Sequence, residues 1–160
     1  MPLWAIHHTP GIFSDEEKHQ LASRITDHYE RIGLPRFDVI TIFNETRPED
    51  FYVGGEPTPI GVRILIDHIA RHGTDKESRE QITRWIKRIP DPYIEKHEGL
   101  HWEFHADETS EDLWMINGLV PPPGGSEVEK AWATANVASP YRDTAAPASC
   151  SAVVWRLVPV

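Results

Sequence analysis

An internal repeat constrains the fold of this 160-residue chain more than any other feature. Residues 2–44 and 61–106 each read as an apolar strand, an amphipathic helix and a second apolar strand. The apolar helix faces of the two units agree at one offset of 61 residues, in the pairs Leu21 and Ile82, Ile25 and Ile86, and His28 and Ile89. Such self-similarity predicts that one strand–helix–strand unit occurs twice.

The first unit begins with a strand over residues 3–7. A helix is predicted over residues 14–32, because Ser14 and Glu17 have the spacing of a capping box and apolar residues follow at steps of three and four. The second strand, over residues 37–43, is a nearly continuous apolar run. Such a run is typical of a strand that is covered on both faces.

The second unit repeats this plan, with strands over residues 62–69 and 100–105. Thr74 and Glu77 have the capping-box spacing before its helix. The two strands of such a unit are parallel and joined by a right-handed crossover. We therefore predict an α+β fold of two tandem βαβ units, which form a four-stranded sheet with two helices on one face.

Three segments outside the repeat are predicted to add local structure. Residues 51–55 read as a short strand that ends in a Gly-Gly turn. Residues 108–118 predict a short helix with three inward-packing side chains, Leu113, Trp114 and Ile116. Residues 126–135 predict a last helix.

The domain boundary is placed after the last predicted helix. We expect residues 1–135 to form one domain, which is long enough to bury a core. Residues 136–160 are rich in Ala, Ser, Pro and Thr, so we expect a poorly ordered tail.

Composition excludes several classes of partner. The formal net charge of −9 argues against nucleic acid, because phosphate binding needs a basic surface. No apolar run approaches the roughly 18–20 residues of a membrane span, and the N-terminus lacks the pattern of a secretory signal. Cys150 is the single cysteine and cannot form an internal disulfide, so we expect a reducing, cytoplasmic location.

Pro2 is the residue that says most about function, because removal of Met1 would make its nitrogen a free secondary amine. Such an amine can act as a general base, a general acid or a nucleophile, which a proline inside a chain cannot do. A protein α-amine titrates near pH ~8, and burial lowers its pKa because the charged form loses hydration. A neutral amine near pH ~7 can move a proton next to a carbonyl, which is keto–enol tautomerisation.

Pro2 at the head of two tandem βαβ units resembles the arrangement of the tautomerase superfamily, in which an N-terminal proline does the chemistry. Residues 14–18 look like the helix start of 4-oxalocrotonate tautomerase, and the double-length chain resembles the cis-3-chloroacrylic acid dehalogenase group. Three segments, residues 51–55, 69–72 and 114–123, are similar to the fungal branch of that group. The resemblance implies an enzyme that needs no cofactor or metal and forms a homotrimer.

The resemblance also implies roles for individual residues. Pro2 matches the catalytic proline, and Arg71 matches the first of two arginines that hold the substrate carboxylate. The second arginine falls on Thr74, which cannot form an ion pair. The family's water-positioning histidine falls on Tyr29 or on His28, depending on where a gap is placed. Either side chain could hydrogen-bond an enolate oxygen as its charge grows.

Other family positions have changed. The activating tyrosine falls on Phe104 and the activating glutamate on Met115, so we expect these two side chains to line the pocket and do not expect hydrolytic dehalogenation. Asn117 is a further candidate donor to the enolate oxygen. Arg63 corresponds to Pro2 at the 61-residue offset and is expected near the amine, whose pKa its charge would lower.

Pro2 and Arg71 together predict a tautomerase-like enzyme for small 2-oxo or unsaturated carboxylic acids. One alternative is a decarboxylase or hydratase of three-carbon acids that uses Pro2 with Asp38. Another is a catalytically silent trimeric binding protein. His101, Glu103 and His105 alternate along one strand face and would suit a metal ion. No fourth ligand is evident, and we do not expect a metal site.

Overall fold

The structure, a computed structural model, describes residues 1–69 and 73–141. Its main sheet has four strands in the order β2-β1-β5-β6, namely β2 (Ile40–Glu45), β1 (Pro2–His8), β5 (Gly61–Ile69) and β6 (His101–Thr109). Both outer pairs are parallel and the central β1–β5 pair is antiparallel. The predicted α+β fold of two tandem βαβ units is confirmed.

Two long helices, α1 (Asp15–Glu30) and α2 (Lys76–Lys87), connect the parallel strands. The main core packs side chains of both helices against β1 and β5, and its largest fully buried members include Trp4, Ile6, Leu21, Ile25, Ile64 and Ile86. Along β1 and β5 every second side chain is buried, as expected for strands covered on one face. The repeated apolar helix positions therefore mark the core.

The helix N-termini confirm one predicted cap and correct the other. Ser14 and Glu17 form the predicted capping box of α1. The N-cap of α2 is Asp75, which forms a capping box with Ser78, so the predicted cap at Thr74 is wrong by one residue. Aspartate is a better N-cap than threonine, and Ser14 and Asp75 are 61 residues apart, as the helix faces are.

The smaller elements lie where two of the predicted additions placed them. A short hairpin, β3 (Tyr52–Val53) and β4 (Glu56–Pro57), turns at the predicted Gly-Gly pair. A short helix, α3 (Asp91–Ile94), follows α2. The predicted last helix is α4 (Glu127–Ala135).

The predicted helix over residues 108–118 is wrong. β6 continues to Thr109, and a single 3₁₀ turn, Glu111–Leu113, follows it. Trp114 is buried as predicted, but Leu113 is 81% exposed. A tight turn follows, because Ile116 and Leu119 exchange backbone hydrogen bonds of 2.9 and 2.8 Å around an Asn-Gly pair. Asn-Gly favours such turns, so local turn chemistry competes successfully with the helical pattern here.

The strand β2 differs from its predicted environment. It is an edge strand, and only the face toward the helices is covered within the chain. Ile40 and Ile42 lie on the other face and are 41% and 45% exposed. The apolar run therefore does not mark a strand covered on both faces by one chain.

A local two-fold relation between β1 and β5 positions the site. Pro2 pairs with His68 at one end of the pair, and His8 pairs with Val62 at the other. The two-fold relation therefore makes Pro2 equivalent to Val62 and His8 equivalent to His68. Equivalent positions of β1 and β5 are thus 60 residues apart, one less than equivalent positions of the helices. Val62, which is buried on the helix face, is the structural counterpart of Pro2.

This difference of one residue corrects the expectation for Arg63. A slip of one residue moves a strand side chain to the other face of the sheet. Arg63 accordingly lies on the face away from the helices, where it pairs in register with His7 at the far end of β1 from Pro2. The prediction that Arg63 lies beside Pro2 is therefore wrong within one chain.

The C-terminal part of the described chain packs on α4. The indole Nε1 of Trp132 donates to the carbonyl oxygen of Ser139 at 3.1 Å, and the Tyr141 ring packs edge-on against that indole. The rest of the predicted tail, from residue 142, lies outside the described residues. Among the helices of residues 1–69 and 73–141, none is long and apolar enough to cross a membrane.

Candidate active site

Pro2 opens β1 and is buried on the helix face of the sheet. Met1 precedes it and exchanges two backbone hydrogen bonds with Ile69, each of 3.0 Å. Hydrogen-bonded and non-hydrogen-bonded pairs alternate in an antiparallel ladder, so Pro2 and His68 form a pair that needs no N–H from the proline. The side chains of such a pair approach closely, with Cα atoms about 4.5 Å apart.

His68 stands between two other side chains on the helix face. It pairs with Pro2 on β1 and in register with Glu108 on β6. Neighbouring strands are about 4.8 Å apart, so Pro2, His68 and Glu108 form a row across three strands. This row lies at one end of the sheet, beneath α1 and α2.

Tyr29 reaches the row from α1. Its hydroxyl group contacts the Nε2 atom of His68 at 2.5 Å and accepts a hydrogen bond from the indole Nε1 of Trp4 at 3.1 Å. The Tyr29 ring is 3% exposed and packs edge-on against His68 and Trp85. Burial raises the pKa of Tyr29 above its ordinary value, so the hydroxyl stays protonated at neutral pH.

Proton counting assigns the roles in this chain of hydrogen bonds. The indole N–H of Trp4 can only donate, so the Tyr29 oxygen accepts from it. The one proton of the hydroxyl is then available for donation to Nε2 of His68. An imidazole that accepts at Nε2 is neutral and carries its proton on Nδ1.

Two cavities open beside this row and share His68 and Ile82. The first, of about 410 Å³, is mostly apolar and is lined further by Tyr29, Ile32, Ser78, Gln81 and Trp85. The second, of about 370 Å³, contains more charge and is lined further by Arg79, Thr83, Phe104, His105, Asp107 and Glu108. Both volumes are within the usual range of small-molecule sites.

The charged cavity is held together by an ion pair between α2 and β6. Arg79 donates from Nε and Nη2 to one carboxylate oxygen of Glu108, at 3.2 and 2.9 Å. The other oxygen of Glu108 accepts the backbone N–H of Gly73 at 2.6 Å. Glu108 thus ties the segment before α2 to the edge strand beside His68.

The structure distinguishes Tyr29 from His28. His28 lies on a different side of α1, where its Nδ1 atom is 3.1 Å from the Arg24 carbonyl oxygen and its ring packs on Trp85. Burial lowers the pKa of His28. Its cavity is a separate groove along α1 and does not include His68. Of the two predicted candidates, Tyr29 is therefore the one that reaches the row beside Pro2.

The remaining predicted site residues separate into two groups. Phe104 lines the charged cavity beside His68, as expected of a pocket-lining residue. Met115 is 63% exposed, and Asn117 has a positive φ of 51° in the Asn-Gly turn. Arg63 forms an ion pair with Glu103 at 2.8 Å on the opposite face of the sheet. Met115, Asn117 and Arg63 do not line either of the two cavities beside His68.

Two predicted site residues remain, the carboxylate anchor Arg71 and the acid–base residue Asp38. Arg71 lies outside the described residues. Asp38 is 5% exposed and precedes Ile40 by two residues. Ile40 pairs with Leu3, so Asp38 lies at the same end of the sheet as Pro2. Within residues 1–69 and 73–141, no group of three His, Cys, Asp or Glu side chains could hold a metal ion.

Another cavity, of about 500 Å³, lies elsewhere. It is lined by His7, Tyr52, Val62 and Arg63, among others, and so lies at the end of β1 far from Pro2. The His8 ring near this end is fully buried. Its Nδ1 atom is 2.9 Å from the carbonyl oxygen of Thr9, and burial lowers its pKa. This end of the strand pair holds no counterpart of the Pro2 amine.

Sequence reasoning missed His68, Glu108 and Arg79. One signal was available for His68, because it continues the alternation of Val62, Ile64 and Ile66 and thus predicts a polar side chain on the core face. Glu108 and Arg79 carried no such signal, since ordinary surface ion pairs use the same residue types.

The family comparison decides the assignment. A model of the Tautomerase_3 family, described as "Putative oxalocrotonate tautomerase enzyme", matches residues 1–137. The chain belongs to this tautomerase family. No curated protein sequence matches it.

Two solved structures are similar to most of this tautomerase-family chain. RhCC from Rhodococcus jostii RHA1 is 40% identical with a TM-score of 0.82, over 87% of this chain and 99% of RhCC. A probable enzyme from the thermophilic fungus Aspergillus fumigatus is 40% identical with a TM-score of 0.81, over 88% of this chain and 98% of the fungal one. The similarity to a fungal protein agrees with the resemblance read from the sequence.

A more distant structure shares the fold of this tautomerase-family chain. N1, a member of the cis-3-chloroacrylic acid dehalogenase family, is 19% identical with a TM-score of 0.62, over 84% of this chain and 97% of N1. This likeness shows a shared fold, and membership of the tautomerase family rests on the match over residues 1–137.

Proposed function

We propose that this protein is a cofactor-independent tautomerase-like enzyme that uses Pro2 as general base and acid on small 2-oxo or unsaturated carboxylic acids. The observation that carries the proposal is the position of Pro2, which is buried at the head of β1 and pairs with His68, a residue that lines two cavities. Membership of the tautomerase family supports it.

The proposed reaction is a proton shift along the substrate. Once Met1 is removed, the neutral Pro2 amine takes a proton from the carbon next to the carbonyl group, and an enolate forms. The resulting ammonium group returns the proton to another atom of the substrate, which restores the free amine. General acid–base catalysis of this kind contributes on the order of 10²–10⁴-fold.

Binding of the substrate carboxylate is assigned to Arg71, on the strength of the family resemblance. A guanidinium group can hold a carboxylate through two parallel hydrogen bonds. Tyr29 and the lining residue Phe104 complete the proposed site. We do not propose hydrolytic dehalogenation, because Phe104 and Met115 occupy the positions of the water-activating pair.

We further propose a homotrimer in a reducing, cytoplasmic compartment. Ile40 and Ile42 are partly exposed on the sheet face away from the helices, and a second copy would cover them. Fused 4-OT proteins of the same fold form symmetric and asymmetric trimers in their solved structures. Sedimentation at several protein concentrations tests the oligomeric state, and a monomer throughout would contradict it.

The test of the proposed function pairs Pro2→Ala with a matched control at its structural counterpart, Val62→Ala. Intact mass first establishes that Met1 is absent from each protein. Ketonisation of phenylenolpyruvate and of 2-hydroxymuconate is then followed for all three. We expect Pro2→Ala to lose on the order of 10²–10⁴-fold in kcat/KM. Val62→Ala should keep its activity per folded molecule. A Pro2→Ala protein as active as the wild type would exclude the proposal.

The position of Asp38 favours a second candidate, decarboxylation or hydration of three-carbon acids. Asp38 is buried at the Pro2 end of the sheet, where a carboxyl group could supply the second acid–base function. Asp38→Asn keeps the size of the side chain and removes its acid–base function. Unchanged turnover of a three-carbon acid by Asp38→Asn would rule this candidate out.

A non-enzymatic trimer is the remaining candidate, and the partly exposed Ile40 and Ile42 favour it as much as they favour the active trimer. It predicts that an acetylenic acid such as 3-bromopropiolate does not label Pro2. Turnover of either enol substrate that depends on Pro2 would exclude it.

A further inference from the structure

We propose that His68 is a positioning residue of the Pro2 site, which Tyr29 holds as a neutral imidazole so that no second positive charge faces the proline amine. This inference rests on the proposed function for its effect on catalysis. Its structural part, the protonation state and tautomer of His68, rests on hydrogen-bond geometry alone.

The directions of the hydrogen bonds at the Tyr29 hydroxyl favour a neutral His68. Trp4 occupies one acceptor position of the Tyr29 hydroxyl at 3.1 Å, and the hydroxyl contacts Nε2 of His68 at 2.5 Å. A protonated Nε2 would also have to donate to that oxygen, and the hydroxyl proton would then need another acceptor. Tyr29 is 3% exposed, so water does not readily supply one. The neutral form, with its proton on Nδ1, satisfies all three groups.

His68 also lies close to the Pro2 amine. Pro2 and His68 are cross-strand neighbours in a non-hydrogen-bonded pair, and both side chains lie on the helix face. Like charges within about 4–6 Å disfavour each other and shift pKa values by about 1–3 units. During the proposed reaction Pro2 becomes an ammonium group. A cationic His68 would therefore destabilise the intermediate, and a neutral one would not.

The other charged groups around His68 do not oppose this assignment. Glu108 is its register partner on β6 and would favour a cationic imidazole, but Arg79 from α2 donates two hydrogen bonds to Glu108. His105 and Asp107 line the same cavity but alternate to the opposite face of β6. Tyr29 from α1 stays neutral, because burial raises its pKa. Among the described residues, these are the titratable and charged groups that surround the ring and its cavities.

The structural part is tested by the ¹⁵N shifts of the histidine side chains between pH 5 and 8, with His68→Gln used to assign the signals. We expect His68 to show an unprotonated Nε2 and a protonated Nδ1 throughout this range. Tyr29→Phe removes the donor to Nε2 and should raise the pKa of His68 above its value in the wild type. The matched control is Tyr52→Phe, which removes a hydroxyl from the β3–β4 hairpin and should leave the His68 signals unchanged.

The functional part is tested by the pH profile of kcat/KM, with each protein normalised to its own value at pH 8. Below pH ~6.5, the kcat/KM of Tyr29→Phe should fall more steeply than that of the wild type. The extra fall is about tenfold for each unit of pKa shift that a charged His68 causes at the Pro2 amine. Adding His68→Gln, which cannot be charged, should restore the wild-type shape. Restoration of the shape separates a charge effect from a packing defect, because the double variant repairs no packing.

The possible outcomes distinguish this inference from the proposed function. A wild-type His68 that is protonated on Nε2, or that titrates near pH ~6.5, overturns the inference whatever the activity of the protein. An identical pH shape for wild type and Tyr29→Phe overturns the functional part. The proposed function fails on a different result, full activity of Pro2→Ala, and the ¹⁵N measurement does not depend on activity.

Discussion

The two ends of the β1–β5 pair have residues at equivalent positions, and they differ in the side chains that pack over them. At one end Pro2 faces His68, and Glu108 is the next residue across the sheet. At the other end Val62 faces His8, which is in register with Glu45. Two basic residues, Arg79 on α2 and Lys18 on α1, lie four positions after the N-caps Asp75 and Ser14.

Aromatic side chains make the difference between the two ends. The His8 ring packs edge-on against Phe13 and Phe43, with ring centroids 5.2 and 6.2 Å apart. Thr74, the residue before the α2 N-cap, corresponds to Phe13, and Ala106 corresponds to Phe43. With a methyl group in place of a ring at Ala106, a cavity remains beside His68. On the helix face of the sheet, the His8 end is thus filled and the His68 end is open.

Changes at Ala106 and Phe43 should have the largest effects, on activity for Ala106 and on stability for Phe43. We expect Ala106→Phe to fill the charged cavity and to lower kcat/KM by about 10²-fold, because the substrate can no longer take its proper position. The reverse change, Phe43→Ala, removes packing at the His8 end. It should cost about 3 kcal/mol of unfolding free energy and leave the activity of folded molecules unchanged. Equal activity losses in the two variants would contradict the division into an open and a filled end.

The buried histidine of the filled end should make stability depend on pH. Burial lowers the pKa of His8 below its ordinary value, so its contribution to stability is fully present above pH ~6.5 and is lost as the pH falls toward the folded-state pKa. His8→Asn keeps a short N–H donor for the Thr9 carbonyl group but does not titrate.

Urea unfolding at pH 5 and 8 checks this expectation. The wild type should lose more stability between the two pH values than His8→Asn does. The difference is about 1.4 kcal/mol for each unit by which folding lowers the pKa. Equal pH dependence of the two proteins would show that His8 is not held neutral by its surroundings.

Loss of the Arg79–Glu108 ion pair at the open end should have the smallest effect on stability and on KM. Glu108→Gln keeps an acceptor for Gly73 but loses the charge that Arg79 contacts at 2.9 Å. Because the Arg79 side chain is 61% exposed, we expect a stability loss of at most about 1 kcal/mol and a few-fold change in KM. Glu45→Gln is the matched change at the filled end and should leave KM unchanged. A shift in KM for Glu45→Gln but not for Glu108→Gln would contradict the assignment of substrate binding to the open end.

The sequence was sufficient to predict the fold, because periodicity and repetition act over whole elements. The apolar positions that recur between Leu21 and Ile89 marked the packed faces of the helices, and the first cap was visible in Ser14 and Glu17. The Glu108–Gly118 region was not predictable in this way. There the strand β6 continues through ladder pairing with β5, and the Asn-Gly turn overrides a weak helical pattern.

The site was only partly predictable, because it depends on strand register. Helix positions repeat at 61 residues but the positions of β1 and β5 repeat at 60, and that single residue exchanges Val62 for Arg63 as the counterpart of Pro2. His68 meets Tyr29 across 39 residues of sequence through a crossing of helix and sheet. No local spacing encodes such a contact, whereas Pro2 could be identified because its chemistry follows from its position in the chain.

The most direct measurement of the central claim is covalent labelling of the native protein with 3-bromopropiolate, followed by peptide mass spectrometry and residual activity. An acetylenic acid that enters the open end should react with the free amine of Pro2. We expect one label per chain, on the N-terminal peptide, with loss of activity in proportion to labelling, and protection when Ala106→Phe fills the cavity. Activity that persists in fully labelled protein, or that is lost while Pro2 stays unmodified, would contradict it.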